Sequence, residues 1–155
     1  MRRKYYLAYG SNLNVAQMRY RCPDAEAIGT AEIAGYELLF KGSKTGAYLT
    51  IEKKEGGIVP VAVWAVSERD ERNLDIYEGF PHFYYKKKVT VEVNGKAVKA
   101  FVYIMHEDRV IATPSQQYFI ICRAGYNTFG FDTAYLNKAL EISRKAEKGG
   151  RSYES

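Results

Sequence analysis

Apolar residues fall in short runs along this chain, many alternating with polar ones, and glycine, asparagine and proline punctuate them. The runs predict mostly strands. Lys4 to Tyr9 reads as the first. Ala27 to Phe40 is rich in β-branched and aromatic residues and bends at Gly29 and Gly35, as barrel strands do. Tyr48 to Glu52 is a further strand, Gly56-Gly57 a turn, and Ile58 to Val66 a strand whose Pro60 points to an edge, a bulge or a strand start. Phe83 to Val93 and Ala97 to Met105 alternate on either side of Asn94-Gly95, the strongest short-range signal for a hairpin.

Helical periods are fewer. Asn14 to Arg21 reads as a short helix, with Asn12 or Asn14 as its N-cap and Cys22-Pro23 as its stop. Ser67 to Tyr77 begins with a capping serine and acidic residues that complement the helix dipole, and Gly79 ends it. Thr113 as N-cap and Pro114 as first residue open a helix over Gln116 to Arg123, with Gly125 as its end. Thr133 to Lys148 is the last, with Leu136, Leu140 and Ser143 on its inner face. The sum is an α+β chain: a small, mainly antiparallel β-barrel with flanking short helices. The regular βα alternation of a doubly wound sheet is missing between residues 27 and 66. Its length of 155 residues favours one domain, taken as 1–148, with 149–155 as a flexible tail.

Composition narrows the class. At 46% hydrophobic and 26% charged, the chain has enough apolar surface for an ordinary globular core. No apolar run approaches the roughly 20 residues of a membrane span, so no membrane partner is expected. The run after the basic start stops at Tyr9-Gly10, short of a signal-peptide core, which makes the cytoplasm the expected location. Cys22 and Cys122 read as reduced, buried residues. Neither His82 nor His106 stands at a metal-ligand spacing, so no metal is expected. A net charge of +5 raises the question of nucleic acid. The basic residues are nevertheless dispersed, no nucleic-acid signature occurs, and Lys86-Lys87-Lys88 reads as a solvated strand end. No nucleic-acid partner is expected, and the excess charge suits an anionic small molecule. A homodimer stays open. Fourteen tyrosines suit either a polar pocket or a β-rich core.

Two segments carry chemistry. Tyr9-Gly10-Ser11-Asn12-Leu13 joins the first strand to a helix start, which exposes several main-chain N–H groups at one point. Such donors suit an anion or a developing oxyanion. Glu78 ends the helix in Leu74-Asp75-Ile76-Tyr77-Glu78-Gly79. A carboxylate there opposes the helix dipole at a cost of about 0.3–1 kcal/mol. Tyr77, Phe80, Phe83, Tyr84 and Tyr85 surround it in sequence, and apolar surroundings raise a carboxyl pKa towards that of a general base. A solvent-facing glutamate at a helix end is the competing reading of the same spacing.

These two segments, with Pro114-Ser115-x-x-Tyr118, resemble the γ-glutamylcyclotransferase family, including its AIG2-like and γ-glutamylamine cyclotransferase branches. The likeness spans roughly residues 4 to 140 in the family's order, with Gly125 and Gly130-x-x-x-x-Tyr135 extending it. Asn12 after Ser11 departs from the glutathione-specific branch, and Phe80-Pro81-His82-Phe83 is closer to the AIG2-like pattern. The resemblance implies a closed barrel with a pocket at one end and an enzyme without cofactor or metal. It implies that a γ-glutamyl amino acid or amine is cyclised to 5-oxoproline with release of the free amine. Glu78 matches the catalytic glutamate. Tyr6, Tyr9, Gly10, Ser11, Asn12, Leu13, Tyr85 and Tyr118 are the expected substrate-binding residues, with Tyr135 a weaker candidate. The loops 42–46 and 107–113 are expected at the pocket mouth. A non-catalytic module that binds a small carboxylate on the same fold is the alternative.

Overall fold

The computed structural model describes residues 3–43 and 46–154, the side chains of 43 and 149–154 excepted. Lys4–Ala8 forms β1, Glu26–Ser43 β2, Gly46–Val66 β3, Tyr84–Val93 β4, Lys96–Met105 β5 and Val110–Ile111 β6. They make one sheet in the order β4-β5-β1-β3-β2-β6. All neighbours are antiparallel except β1 and β5, which pair in parallel at Tyr6 and Phe101. β1 therefore lies inside the sheet, held on both sides, and the segment that leaves it starts from a rigid base.

β2 and β3 form one long hairpin, and the turn expected at Gly56-Gly57 does not exist. Ala34 pairs with Ile58 and Tyr36 with Lys53, so Gly35 alone faces residues 54–57. The glycines absorb a bulge that bends β3 without ending it. Lys44 and Thr45, in the expected 42–46 loop, lie outside the described residues. The sheet curls into a half-barrel. The closed barrel that the resemblance implied is not formed, because β2 returns to β4 through side chains only, with Lys87 Nζ donating to Tyr36 Oη at 2.8 Å. Phe40, Leu49, Ile51, Val59 and Ile104 fill its interior at 2% exposure or less.

Val15–Arg21 forms α1, Glu68–Tyr77 α2, Gln116–Phe129 α3 and Ala134–Glu154 α4. The backbone of 149–154 continues α4, and the expected tail otherwise falls where side chains lie outside the described residues. Of the two asparagines, Asn14 caps α1, its side chain accepting from Gln17 N. Ser67 and Asp70 close a reciprocal capping box on α2. α3 departs from expectation at both ends. Its N-cap is Ser115, which accepts from Tyr118 N at 3.1 Å, so Thr113 and Pro114 lie before the helix. Gly125 does not end it, and the stop is Gly130 in the left-handed region. Gly125 is instead a point of contact: a Cβ there would stand 2.5 Å from Leu13 Cβ. The missing side chain lets α3 press directly on the segment after β1. The hairpin at Asn94-Gly95 is as expected, both residues having positive φ.

Candidate active site

The segment after β1 folds into a single 3-10 turn, Ser11–Leu13, closed by Leu13 N donating to Gly10 O and Asn14 N to Ser11 O, each at 3.0 Å. The main-chain N–H groups of Ser11 and Asn12 head that turn and donate to nothing else among the described residues. Buried side chains anchor it. Tyr9 Oη donates to Tyr103 O at 2.7 Å, and Asn12 Nδ2 donates to Tyr6 Oη at 2.8 Å.

α2 delivers Glu78 to the same place. Its C-terminal half is tied to the sheet, where Tyr103 Oη donates to Asp75 Oδ1 at 2.6 Å and Lys86 Nζ sits 2.8 Å from the same oxygen. Lys86 also pairs with Glu71 at 2.7 Å, and Lys4 reaches Glu71 at 2.9 Å. Lys86 is thus a half-buried link between helix and sheet, not part of a solvated strand end. The reason is register: opposite Tyr103 on β5, it faces α2. Gly79, at φ 62°, turns the chain away immediately after Glu78.

Between turn and helix lies a cavity of about 370 Å³. Tyr6, Tyr9, Gly10, Ser11 and Asn12 line it with Glu78, and Tyr84, Tyr103 and Tyr118 add aromatic wall. Ile76 and Tyr77, both exposed, mark the rim. No lysine, arginine or histidine lines the cavity among the described residues. The Glu78 carboxylate makes no hydrogen bond or ion pair among them either. Burial pushes it up to about 7, and the Arg21 guanidinium opposes that rise. Glu78 is half-buried in the cavity wall, so the competing reading, a glutamate in open solvent, does not hold.

Two expected binding residues lie elsewhere. Leu13 is fully buried against Gly125, facing α3 and not the cavity. Tyr85 alternates with Tyr84 along β4, so its ring falls on the other face, where its hydroxyl bonds Glu107. Tyr118 is on the cavity wall but accepts from Leu49 N at 3.0 Å, so it also holds β3. Tyr135 borders a separate groove beside α4. Residues 107–113 do not reach the cavity, and neither Gly42 nor Gly46 lines it; Tyr48, Ile76 and Phe83 do. Sequence reasoning missed Tyr103 and Arg21. Tyr103 was findable only through the parallel pairing of β1 with β5, and Arg21 looked like an ordinary basic residue at a helix end.

A curled α+β half-barrel thus brings a half-buried, unpaired carboxylate and a turn with two open N–H donors to one cavity, an arrangement suited to acid–base chemistry. A profile of the family described as "Gamma-glutamyl cyclotransferase, AIG2-like" matches residues 6–120. The chain is 30% identical to the γ-glutamylcyclotransferase of Bos taurus over 96% of its own length and 84% of the relative's. It is 31% identical to the Homo sapiens γ-glutamylcyclotransferase over 88% and 77% respectively. A solved "Gamma-glutamyl cyclotransferase" structure superposes with a TM-score of 0.80 at 28% identity, covering 89% of this chain and 86% of that one. The chain belongs to the γ-glutamylcyclotransferase, AIG2-like family, and is an enzyme of that type. No helix among the described residues is long and apolar enough to cross a membrane.

Proposed function

We propose that the protein cyclises a γ-glutamyl amino acid or γ-glutamyl amine to 5-oxoproline and frees the amine, with Glu78 as general acid and base. The observation that carries this reading is the unpaired Glu78 carboxylate sharing one cavity with Ser11 and Asn12, whose N–H groups have no partner among the described residues. A γ-glutamyl compound carries its α-amine as an ammonium at neutral pH, and it is a poor nucleophile while protonated. A carboxylate raised to about 7 is well matched to take its proton.

The freed amine attacks the substrate's own γ-carbonyl carbon. The new C–N bond closes a five-membered ring, and a tetrahedral oxyanion forms. Its collapse breaks the bond to the leaving nitrogen. The attacking nitrogen sheds two protons in all and the leaving amine gains two, so the shuttle through Glu78 is neutral overall. No outside reagent is consumed. The enzyme's main task is to hold the folded conformer, since well-oriented intramolecular attacks reach effective molarities of about 10⁵–10⁸ M. The turn's N–H groups are the donors for the substrate's anionic oxygens, and they do not move to meet them. The wall tyrosines stay neutral, because burial pushes Tyr6, Tyr9, Tyr84 and Tyr118 well above the usual phenol range. They serve as hydrogen-bond partners and exclude water.

The test is release of 5-oxoproline from a panel of γ-glutamyl amino acids and amines. Turnover by the unaltered protein that Glu78→Gln abolishes, with the fold retained by circular dichroism, supports the reading. Turnover that survives Glu78→Gln removes Glu78 as the base. Binding of γ-glutamyl compounds without any turnover supports the small-carboxylate module instead.

A further inference from the structure

Arg21 ends α1, outside the cavity lining, yet it touches both halves of the site. Its Nη1 donates to Asn12 Oδ1 and lies 3.4 Å from Ser11 Oγ, and its Nη2 donates to Gln17 Oε1 at 2.6 Å. The guanidinium carbon stacks 3.5 Å above the Tyr77 ring. Tyr77 Oη in turn lies 3.1 Å from Ser11 Oγ, and Asn73 Nδ2 donates to the Arg21 carbonyl at 2.9 Å. A closed ring results, from α1 to the turn, from the turn to α2, and back through the stack. Tyr77 immediately precedes Glu78.

We propose that Arg21 is the positioning residue of this site, its guanidinium fixing the donor turn against Tyr77, the residue before Glu78, at the end of α2. The inference rests on the reading of Glu78 as the base. Planarity matters: a guanidinium can reach the turn through Nη1 and Gln17 of α1 through Nη2 while lying flat on the Tyr77 ring. The charge matters because of what else faces Glu78. Tyr6 from β1, Tyr9 just after it, Tyr84 from β4, Tyr103 from β5 and Tyr118 from α3 are titratable groups that feel its charge. All five are neutral phenols, and the charge that opposes the rise caused by burial is that of Arg21. Its position behind the turn, outside the cavity lining and with both Nη atoms bonded to protein side chains, leaves it to act through other residues and not on the substrate.

The experiment compares Arg21→Met and Arg21→Lys with the unaltered chain. Two quantities are measured: the pH dependence of kcat/KM for 5-oxoproline release, and the titration of the Glu78 carboxyl by carbon NMR, assigned with Glu78→Gln. Methionine keeps the stem and removes charge and fork, so both midpoints should rise by about 1 pH unit. Activity at pH 7 should fall several-fold and partly recover at higher pH. Lysine keeps the charge and loses the fork and stack, so it should hold the midpoints while kcat falls and KM rises. A Glu78 midpoint unmoved in Arg21→Met overturns the charge role, and Arg21→Lys kinetics equal to the unaltered chain overturn the positioning role. If Arg21→Met fails to fold, Arg21→Gln gives the same charge comparison. The NMR midpoint is read without turnover, so absence of 5-oxoproline would count against the proposed reaction and leave the Arg21 comparison standing.

Discussion

Gly125 of α3 meets Leu13 of the donor turn with no room for a methyl group: a Cβ on Gly125 would lie 2.5 Å from Leu13 Cβ and 2.8 Å from the Leu13 carbonyl carbon. This contact sets how far the turn can move away from the cavity. In an exposed helix, Gly→Ala gains about 1 kcal/mol. Here the clash is with main chain and cannot be relieved by a rotamer change. Overpacking of about 1–3 kcal/mol outweighs the helical gain. Gly125→Ala should therefore lower the urea midpoint and also raise KM, as the turn is displaced.

Stability should change with pH through Glu78, in a direction opposite to that of most carboxylates. Its usual value near 4.5 is raised to about 7 in the fold, so the folded chain binds this proton more tightly than the unfolded chain. The contribution is complete below about 4.5, is lost as pH rises towards 7, and is flat above that. Glu78→Gln removes the penalty. At pH 8 the variant should be more stable by up to roughly 3 kcal/mol, with little difference at pH 4. Thermal melts of both proteins at the two pH values check this.

The pH profile of the reaction should be bell-shaped. The base must be ionised, which places the acid limb of kcat/KM near 7. The leaving nitrogen needs the proton that the substrate brings, so the alkaline limb follows the substrate's own ammonium and lies above the acid limb. Changing to a γ-glutamyl compound with a more basic α-amine should shift only the alkaline limb.

Tyr103→Phe should loosen the end of α2. It removes a 2.6 Å hydrogen bond to the Asp75 carboxylate, while Lys86 stays in place to pair with that carboxylate. The loss should be about 1–2 kcal/mol, at the low end for a bond to a charged group. Amide exchange should quicken towards the C-terminus of α2, around Asp75 to Glu78, more than at the Ser67 capping box.

Much of this was legible in the sequence because it depends on near neighbours. The Asn94-Gly95 hairpin, the Ser67 cap and the Gly79 stop are local conformational choices, and the family resemblance was carried by motifs that keep their own spacing. The α+β class followed from the periods. Gly56-Gly57 misled, because a glycine pair reads the same in a turn as in a bulge, and only the partner strand decides between them. Gly125 misled for a similar reason: a glycine that ends a helix and one that makes room for another segment are identical in one dimension.

The sequence alone determined the groups the site would be made from, a donor turn after the first strand and a glutamate at a helix end. Tertiary structure decided that they face each other. It buried the carboxylate enough to raise its proton affinity, set Tyr103 beside Tyr6 through a parallel pairing, and turned Tyr85 and Leu13 away. It also brought Arg21 against residues ten positions before it and fifty-six after it. Desolvation and charge depend on distances through space, and those exist only once the sheet has curled and α2 and α3 have closed over its first strand.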